Sequence, residues 1–407
     1  MTIEYRSVTD EERTAYFDAV ARGFGSDPPD DNPEAVDRFW AMMPLDRTVA
    51  AFEHGEIVAT LGDFPLQLTI PGGSQIAMAG TTEVTVRGTH RRRGILRQMM
   101  QRHLATAADR GEPVAGLWAS EAAIYGRFGF GLATELHEIQ FDSRLVTFPP
   151  MAEDLRTEMV DPEKLVDVVA PFWSSVAPTW AGFVDRAEPR WRDIIADPPW
   201  FRGGATKSRN VVVRRGDEIV GYVAYRQNRR WENSVPSGTV VVQALVAADH
   251  EAHRALWHHV THVDLFPLVD FWDAPVDDPI VWETSNPRAI KRIPTDGLYV
   301  RILDVTAALT ARHYETDGET VLGIVDDLGY ASGAFHLQIS GGAATVSATD
   351  TTPDVEMDVR ELGALYLGRN AAPGLHTSGL IKGSAASVLH CSQLFRTAAA
   401  PWCPEMF

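Results

Sequence analysis

The chain has 407 residues, 45% hydrophobic and 23% charged, with a formal net charge of −18. At roughly 150 residues per domain this length suggests two or three domains, each able to bury a core. The acidic balance disfavours a general binder of nucleic acid or anionic membrane and suits a small cationic partner. Two cysteines, Cys391 and Cys403, without CxxC spacing, exclude a disulfide framework and read as a reducing, cytoplasmic setting. The early acids of MTIEYRSVTDEERTAYF argue against a secretory signal, and no apolar run nears the ~20 residues of a membrane span.

Thr9 and Glu12 have capping-box spacing, and Tyr16, Phe17, Val20 and Phe24 follow at helical intervals. A second helix is expected around Val36, Phe39, Trp40 and Met43. Strands are expected over Thr48–Phe52, Ile57–Phe64, Leu66–Ile70 and Ile76–Val86, with turns at His54-Gly55 and Pro71-Gly72-Gly73. The helical period returns from Arg92 to about Asp109, with Ile95, Leu96, Met99, Met100 and Leu104 on one face. A strand (Val114–Trp118) then leads to a short helix and Tyr125-Gly126-Arg127-Phe128-Gly129-Phe130-Gly131. This order is that of an α/β (α+β) layered fold.

A weaker copy begins near residue 150. Asp161-Pro162 opens a helix bearing Leu165, Val168, Val169 and Phe172, and Val211–Arg215 with Ile219–Tyr225 reads as a hairpin. Val240–Val246 and Ala252–Val263 then repeat the earlier strand-to-helix step. Past Pro294 the pattern changes to strands at Leu298–Val305, Glu319–Val325, Phe335–Ile339 and Ala344–Ala348, followed by helices at about 359–367 and 384–396. Three domains are expected: 1–148, 149–293 and 294–407.

The segment most suited to chemistry is Glu83-Val84-Thr85-Val86-Arg87-Gly88-Thr89-His90-Arg91-Arg92-Arg93-Gly94-Ile95-Leu96. A strand enters a basic loop and a helix starts at once, so unpaired N–H groups and the positive end of the helix dipole can meet a phosphate. Gly94 permits close backbone approach, and Arg91, Arg92 and Arg93 add charge. A solvated basic helix cap is the competing reading.

The order strand, Arg-x-x-Gly, helix, strand, Tyr-x-x-Phe-Gly-Phe resembles the GNAT acyltransferases, whose pyrophosphate loop is Gln/Arg-x-x-Gly-x-Gly/Ala. Here it reads Arg91-x-x-Gly94-x-Leu96, with Leu96 departing from the last position. Ile70-Pro71-Gly72-Gly73, the 89–94 loop, Tyr125 in EAAIYGRFGFG and a C-terminal Phe407 narrow the resemblance to the Eis family of aminoglycoside N-acetyltransferases. That family plan comprises two tandem GNAT-type domains and a sterol-carrier-protein-like domain, and it covers the whole chain.

The resemblance implies direct transfer from acetyl-CoA to an amine in a ternary complex, without a metal, by a homohexamer. Tyr125 would protonate the departing thiolate and the Phe407 carboxylate would take the amine proton. Val84, Thr85 and Val86 would hold acetyl-CoA by strand contacts, residues 91–97 (Arg91, Arg92, Arg93, Gly94, Ile95, Leu96, Arg97) would form the pyrophosphate loop, and Ser120 and Glu121 would add contacts. Phe24, Asp27, Trp40, Glu83 and Glu405 would line the acceptor side, where carboxylates and rings suit ammonium groups.

Glu83 is a rival base, since alternation puts Glu83 and Thr85 on the strand face opposite Val84 and Val86. In the second copy, Ala247–Arg254 carries two acids and no glycine, so this loop should repel pyrophosphate. His258 and His262 lack a carboxylate-flanked ligand pattern, His390-Cys391 are helical neighbours pointing roughly 100° apart, and no GxSxG occurs. The alternatives to aminoglycoside acetylation are acetylation of another natural amine or of protein lysine, and a lipid-binding scaffold with a vestigial acyltransferase domain.

Overall fold

The computed structural model describes residues 3–26, 33–369 and 371–407. The chain forms two compact units, one of Met1–Thr134, Gly297–Pro401 and Glu405–Phe407, the other of Glu135–Asp296 and Trp402–Pro404.

The first unit is built on strands β1 (Glu4–Arg6), β2 (Ala50–Glu53), β3 (Glu56–Thr69), β4 (Gln75–Val86), β5 (Val114–Trp118) and β6 (Gly131–Leu132). Strand Leu298–Ile302 enters between β5 and β6, antiparallel to both, giving a seven-stranded sheet. β3 is one 14-residue strand where two were expected. Its Pro65 is tolerated because β2 pairs only with the first part of β3, so the proline's missing N–H lies on an edge.

Helices α1 (Arg13–Gly23) and α2 (Pro33–Met42) cover one sheet face, where Tyr16, Val20, Phe39, Trp40 and Met43 pack with Ala50 and Phe52. Helix α3 (Ile95–Asp109) covers the other through Ile95, Met99, Met100 and Leu104; Leu96, expected on the same stripe, is only partly buried against that core. A buried polar cluster fixes its register: the His103 ring is 2.8 Å from the Thr81 hydroxyl on β4 and 3.3 Å from Asp63 on β3. Burial alone would raise the Asp63 carboxyl, yet His103, Arg110 and Arg47 hold it below the usual range.

The same unit contains a five-stranded sheet in the order Ala343–Ala348, Gly333–Ser340, Gly318–Val325, Val355–Asp358, Ile381–Gly383, with helices Val359–Tyr366 and Ala385–Phe395. Helix Val359–Tyr366 meets the first sheet at backbone distance. A Cβ on Gly131 would stand 1.8 Å from the Arg360 carbonyl oxygen, and one on Gly363 would stand 2.2 Å from the Val300 carbonyl oxygen.

In the second unit, β7 (Glu135–Asp142) joins a seven-stranded sheet between Lys291–Asp296 and Leu268–Pro275. Strands Thr239–Ala247, Glu218–Asn228, Arg209–Arg215 and Leu155–Val160 complete it, and helix His250–Thr261 packs on it through Leu256, Trp257 and Val260. Among the described residues no helix is long and apolar enough to cross a membrane, and no cluster of His, Cys, Asp and Glu could hold a metal ion.

Candidate active site

The site grows from an irregularity in β4. Its parallel pairing with β5 spans only Met78–Gly80 against Val114–Gly116. Beyond Gly80 no described strand pairs with that edge, so its N–H and C=O groups are free to bond an extended amide-bearing chain. On the β3 side the register slips between Thr60↔Thr85 and Gly62↔Thr82, placing one extra residue in β4. Glu83 carries the bulge with φ +55°, a left-handed conformation uncommon outside glycine. Its carbonyl accepts a 2.7 Å hydrogen bond from the Thr60 hydroxyl.

The bulge resets which side chains share a face. Thr81 meets His103 of α3, and Val84 and Val86 pack with the α3-side core. Thr85 instead faces α1, where a Cβ on Gly23 would collide with it at 2.4 Å, and the Glu83 charge acts on Tyr16 of the same helix. Without the extra residue, Glu83 would share the face of Thr81. Burial pushes the Glu83 carboxyl up to about 7, and no hydrogen bond or ion pair from the described residues offsets it. Close by, the Tyr16 hydroxyl and the Trp40 indole N–H are buried without hydrogen-bond partners among the described residues, their rings 5.3 Å apart.

β4 runs into a one-turn helix at Gly88–His90 and then the arginine loop. The helix expected from Arg92 starts at Ile95, because Arg92 (φ +63°) and Gly94 (φ +80°) both turn left-handed. Such turns swing successive N–H groups toward one side and form an anion-binding concavity. Arg91, Arg92 and Arg97 are exposed and have no ion-pair partner among the described residues, whereas Arg93 is held by Glu53 of β2 at 2.7 Å. Ile95 and Leu96 put their side chains in or against the core, so only their backbone can serve a ligand. These groups fit a pantetheine chain along β4 and phosphates at the loop, which are the parts of acetyl-CoA.

Tyr125 follows β5 on the two-turn 3-10 helix Ala122–Phe128, with Ser120 and Glu121 exposed just before it. Its ring lies edge-on to Phe130 at 6.2 Å, and burial, then the Glu121 charge, raises its hydroxyl above the ordinary value. A tyrosine so placed stays protonated at neutral pH and can offer its proton to a charge developing beside it. Behind this loop, Arg301 is fully buried against Asp326 at 2.7 Å and approaches Gly129. Arg301 is a supporting residue not singled out from the sequence, although an arginine inside the apolar run Leu298–Leu303 was a visible signal.

The last residues belong to this same unit. The Trp118 indole, at the end of β5, donates to the Glu405 carbonyl oxygen at 3.0 Å, and Glu405 is buried. The Phe407 ring comes within 3.2 Å of where a Cβ on Gly80 would stand, and Phe407 keeps partial exposure. Phe24 caps the end of α1, half exposed; Asp27 lies outside the described residues.

The second unit answers the same strand-to-helix step differently. Asp249 caps helix His250–Thr261 by accepting from the N–H groups of Glu251 and Ala252 at 3.0 and 2.9 Å. Arg215 pairs with Asp249 and Glu251. The chain's own carboxylate thus takes the helix-terminal donors that are left open in the first unit.

Residues 4–133 and 182–302 each match an acetyltransferase (GNAT) domain family, and residues 305–404 match the sterol carrier protein domain family. An uncharacterized N-acetyltransferase of Streptomyces avermitilis is 34% identical over 412 residues, covering 100% of both chains. N-acetyltransferase Eis of Mycobacterium tuberculosis is 31% identical over 398 residues, covering 94% of each. The crystal structure of Eis1 from Mycobacterium abscessus superposes with a TM-score of 0.84 at 31% identity, covering 100% of both chains. With two GNAT domains, a sterol-carrier-like domain and full-length relatives of this kind, the chain is an N-acetyltransferase and belongs to the Eis family of the GNAT superfamily.

Proposed function

We propose that this enzyme transfers the acetyl group of acetyl-CoA directly to an amine of an aminoglycoside or similar polycationic small molecule, within a ternary complex. The observation that carries the reading is the open β4 edge beyond Gly80 running into a loop with unpaired Arg91, Arg92 and Arg97. Backbone groups of Val84, Thr85 and Val86 would bond the pantetheine amides, and the N–H groups around Gly94 would take the pyrophosphate. The carboxylate-capped helix of the second unit supports a single cofactor site per chain.

Tyr125 would donate its proton to the sulfur as the carbon–sulfur bond breaks, which eases departure of a thiol of ordinary value near 8.5. The Phe407 carboxylate would take the proton from the attacking amine, and its partial exposure gives that proton a route to water. Glu83 is the rival base on the same strand. In the favoured scheme it pairs with an ammonium group of the acceptor, beside Trp40 and the tail residue Glu405, with Phe24 and Asp27 at the entrance. The family likeness also supports a homohexamer in the cytoplasm, testable by sedimentation.

The deciding assay is CoA-thiol release with acetyl-CoA and a kanamycin-type aminoglycoside, comparing the native C-terminus with a version extended by two residues. The extended enzyme should fold and bind acetyl-CoA but turn over at least about 100-fold more slowly. Equal rates would move the base to Glu83. Silence with acetyl-CoA still bound would remove the aminoglycoside, and failure to bind acetyl-CoA would remove the whole reading.

A further inference from the structure

Glu53, at the end of β2, has its two carboxylate oxygens on two different residues of the arginine loop. Oε2 lies 2.8 Å from His90 Nε2, and Oε1 accepts from Arg93 Nη2 at 2.7 Å. The other ring nitrogen of His90 is 2.8 Å from the Thr89 hydroxyl, so the imidazole is fixed at both ends. The glutamate side chain is only 13% exposed, and His90 is buried. Between the two anchored residues stand Arg91 and Arg92, both exposed and unpaired among the described residues, with Arg92 in the left-handed region. A short arch is therefore pinned at both feet from beneath by one carboxylate, with its crown turned outward.

We propose that Glu53 is the positioning residue of the cofactor loop, and that Arg93 is a strut held by it rather than a phosphate ligand. Arg91, Arg92 and Arg97 are then the cations that meet the phosphates of acetyl-CoA, an inference that rests on the acetyl-CoA site proposed above. Adjacent arginines of one chemical type thus divide into two roles. Two charge-assisted hydrogen bonds, to a carboxylate that Arg93 and then His90 hold at about 2, fix the loop before the ligand arrives. Less ordering is then left for binding to supply.

The sign of one substitution separates this from plain electrostatics. A carboxylate beside a phosphate site repels it, so if Glu53 were a bystander, Glu53→Gln would tighten acetyl-CoA binding or leave it unchanged. The clamp requires the opposite: the acetyl-CoA Kd of Glu53→Gln, measured by calorimetry, should rise about ten-fold. Its kcat at saturating acetyl-CoA and its acceptor KM should stay within about two-fold of wild type. Arg93→Gln should show a similar rise, and the double variant should be no weaker than the worse single one, because both remove the same strut. Tighter or unchanged binding in Glu53→Gln, or losses that simply add, would overturn the assignment. Should Glu53→Gln not fold, His90→Gln, which removes the second foot, carries the same readouts. A wild-type protein that binds neither acetyl-CoA nor CoA would instead sink the acetyl-CoA site itself.

Discussion

Gly131→Ala tests whether the sterol-carrier-like segment holds the Tyr125 loop. The new Cβ would stand 1.8 Å from the Arg360 carbonyl oxygen and 2.7 Å from the Ala364 nitrogen, both backbone atoms of helix Val359–Tyr366. A carbon–oxygen contact needs roughly 3.3 Å, so strand and helix must part by more than an ångström. Overpacking that flexible side chains can absorb costs about 1–3 kcal/mol. Here neither partner can rotate away, and about 3 kcal/mol is the expected loss. For a unit of this size that is a fall in Tm of roughly 6–12 °C by circular dichroism. Because Gly131 directly follows Phe130, on which Tyr125 packs, kcat should fall as well, with acetyl-CoA binding at β4 retained. Gly88→Ala is the control: nothing lies within 4 Å of its Cβ, so Tm should stay within about 2 °C. A Gly131→Ala enzyme as stable and as fast as Gly88→Ala would refute the idea that this backbone contact carries the loop.

Tyr125→Phe should lower kcat by about 10²–10³ while leaving acetyl-CoA Kd unchanged, as expected for loss of a proton donor; a change in Kd alone would reassign Tyr125 to binding. Glu83→Gln should keep kcat within about three-fold and raise acceptor KM about ten-fold if Phe407 is the base, whereas a collapse of kcat would make Glu83 the base. The same variant has a stability signature. Burial raises the folded Glu83 from 4.5 to about 7, so the neutral form is favoured on folding. The penalty for ionising it is absent below pH 4.5, grows between 4.5 and 7, and is complete above 7. Wild type should therefore lose roughly 1–2 kcal/mol relative to Glu83→Gln from pH 4.5 to 7 in urea titrations, after allowance for solvent screening.

Much of this molecule is written in local pattern. Of the helical stripe, Ile95, Met99, Met100 and Leu104 are fully inside and Leu96 partly so, and Gly94 sits at the break that its lack of a side chain suggests. The strand-to-helix step with its arginines and the Tyr125 segment were readable because each motif depends on residues adjacent in sequence. Pairing partners were not. Glu135–Asp142 follows the first domain's motifs yet joins the second sheet, while Leu298–Ile302 returns to the first. Glu135–Asp142 largely alternates as a half-buried strand does and Leu298–Ile302 is buried at every position, and neither pattern names the neighbour.

Side-chain roles divide the same way. Composition puts three equivalent arginines at 91–93; only the placement of Glu53 on a strand some forty residues earlier selects Arg93 for a different task. Glu83 is legible as an acid in a strand, but its face depends on a bulge set by pairing with β3, and its proton affinity on what covers it. Tyr16 reads simply as a core aromatic and Trp40 as a ring of the acceptor side, and it took packing to leave the polar atoms of both without a hydrogen-bond partner among the described residues near that acid. The sequence by itself determined the elements and the residue chemistry, since these follow from neighbours along the chain. The tertiary structure alone decided which strands meet, which charges are already paired and which are left free, since those depend on contacts between segments far apart in sequence.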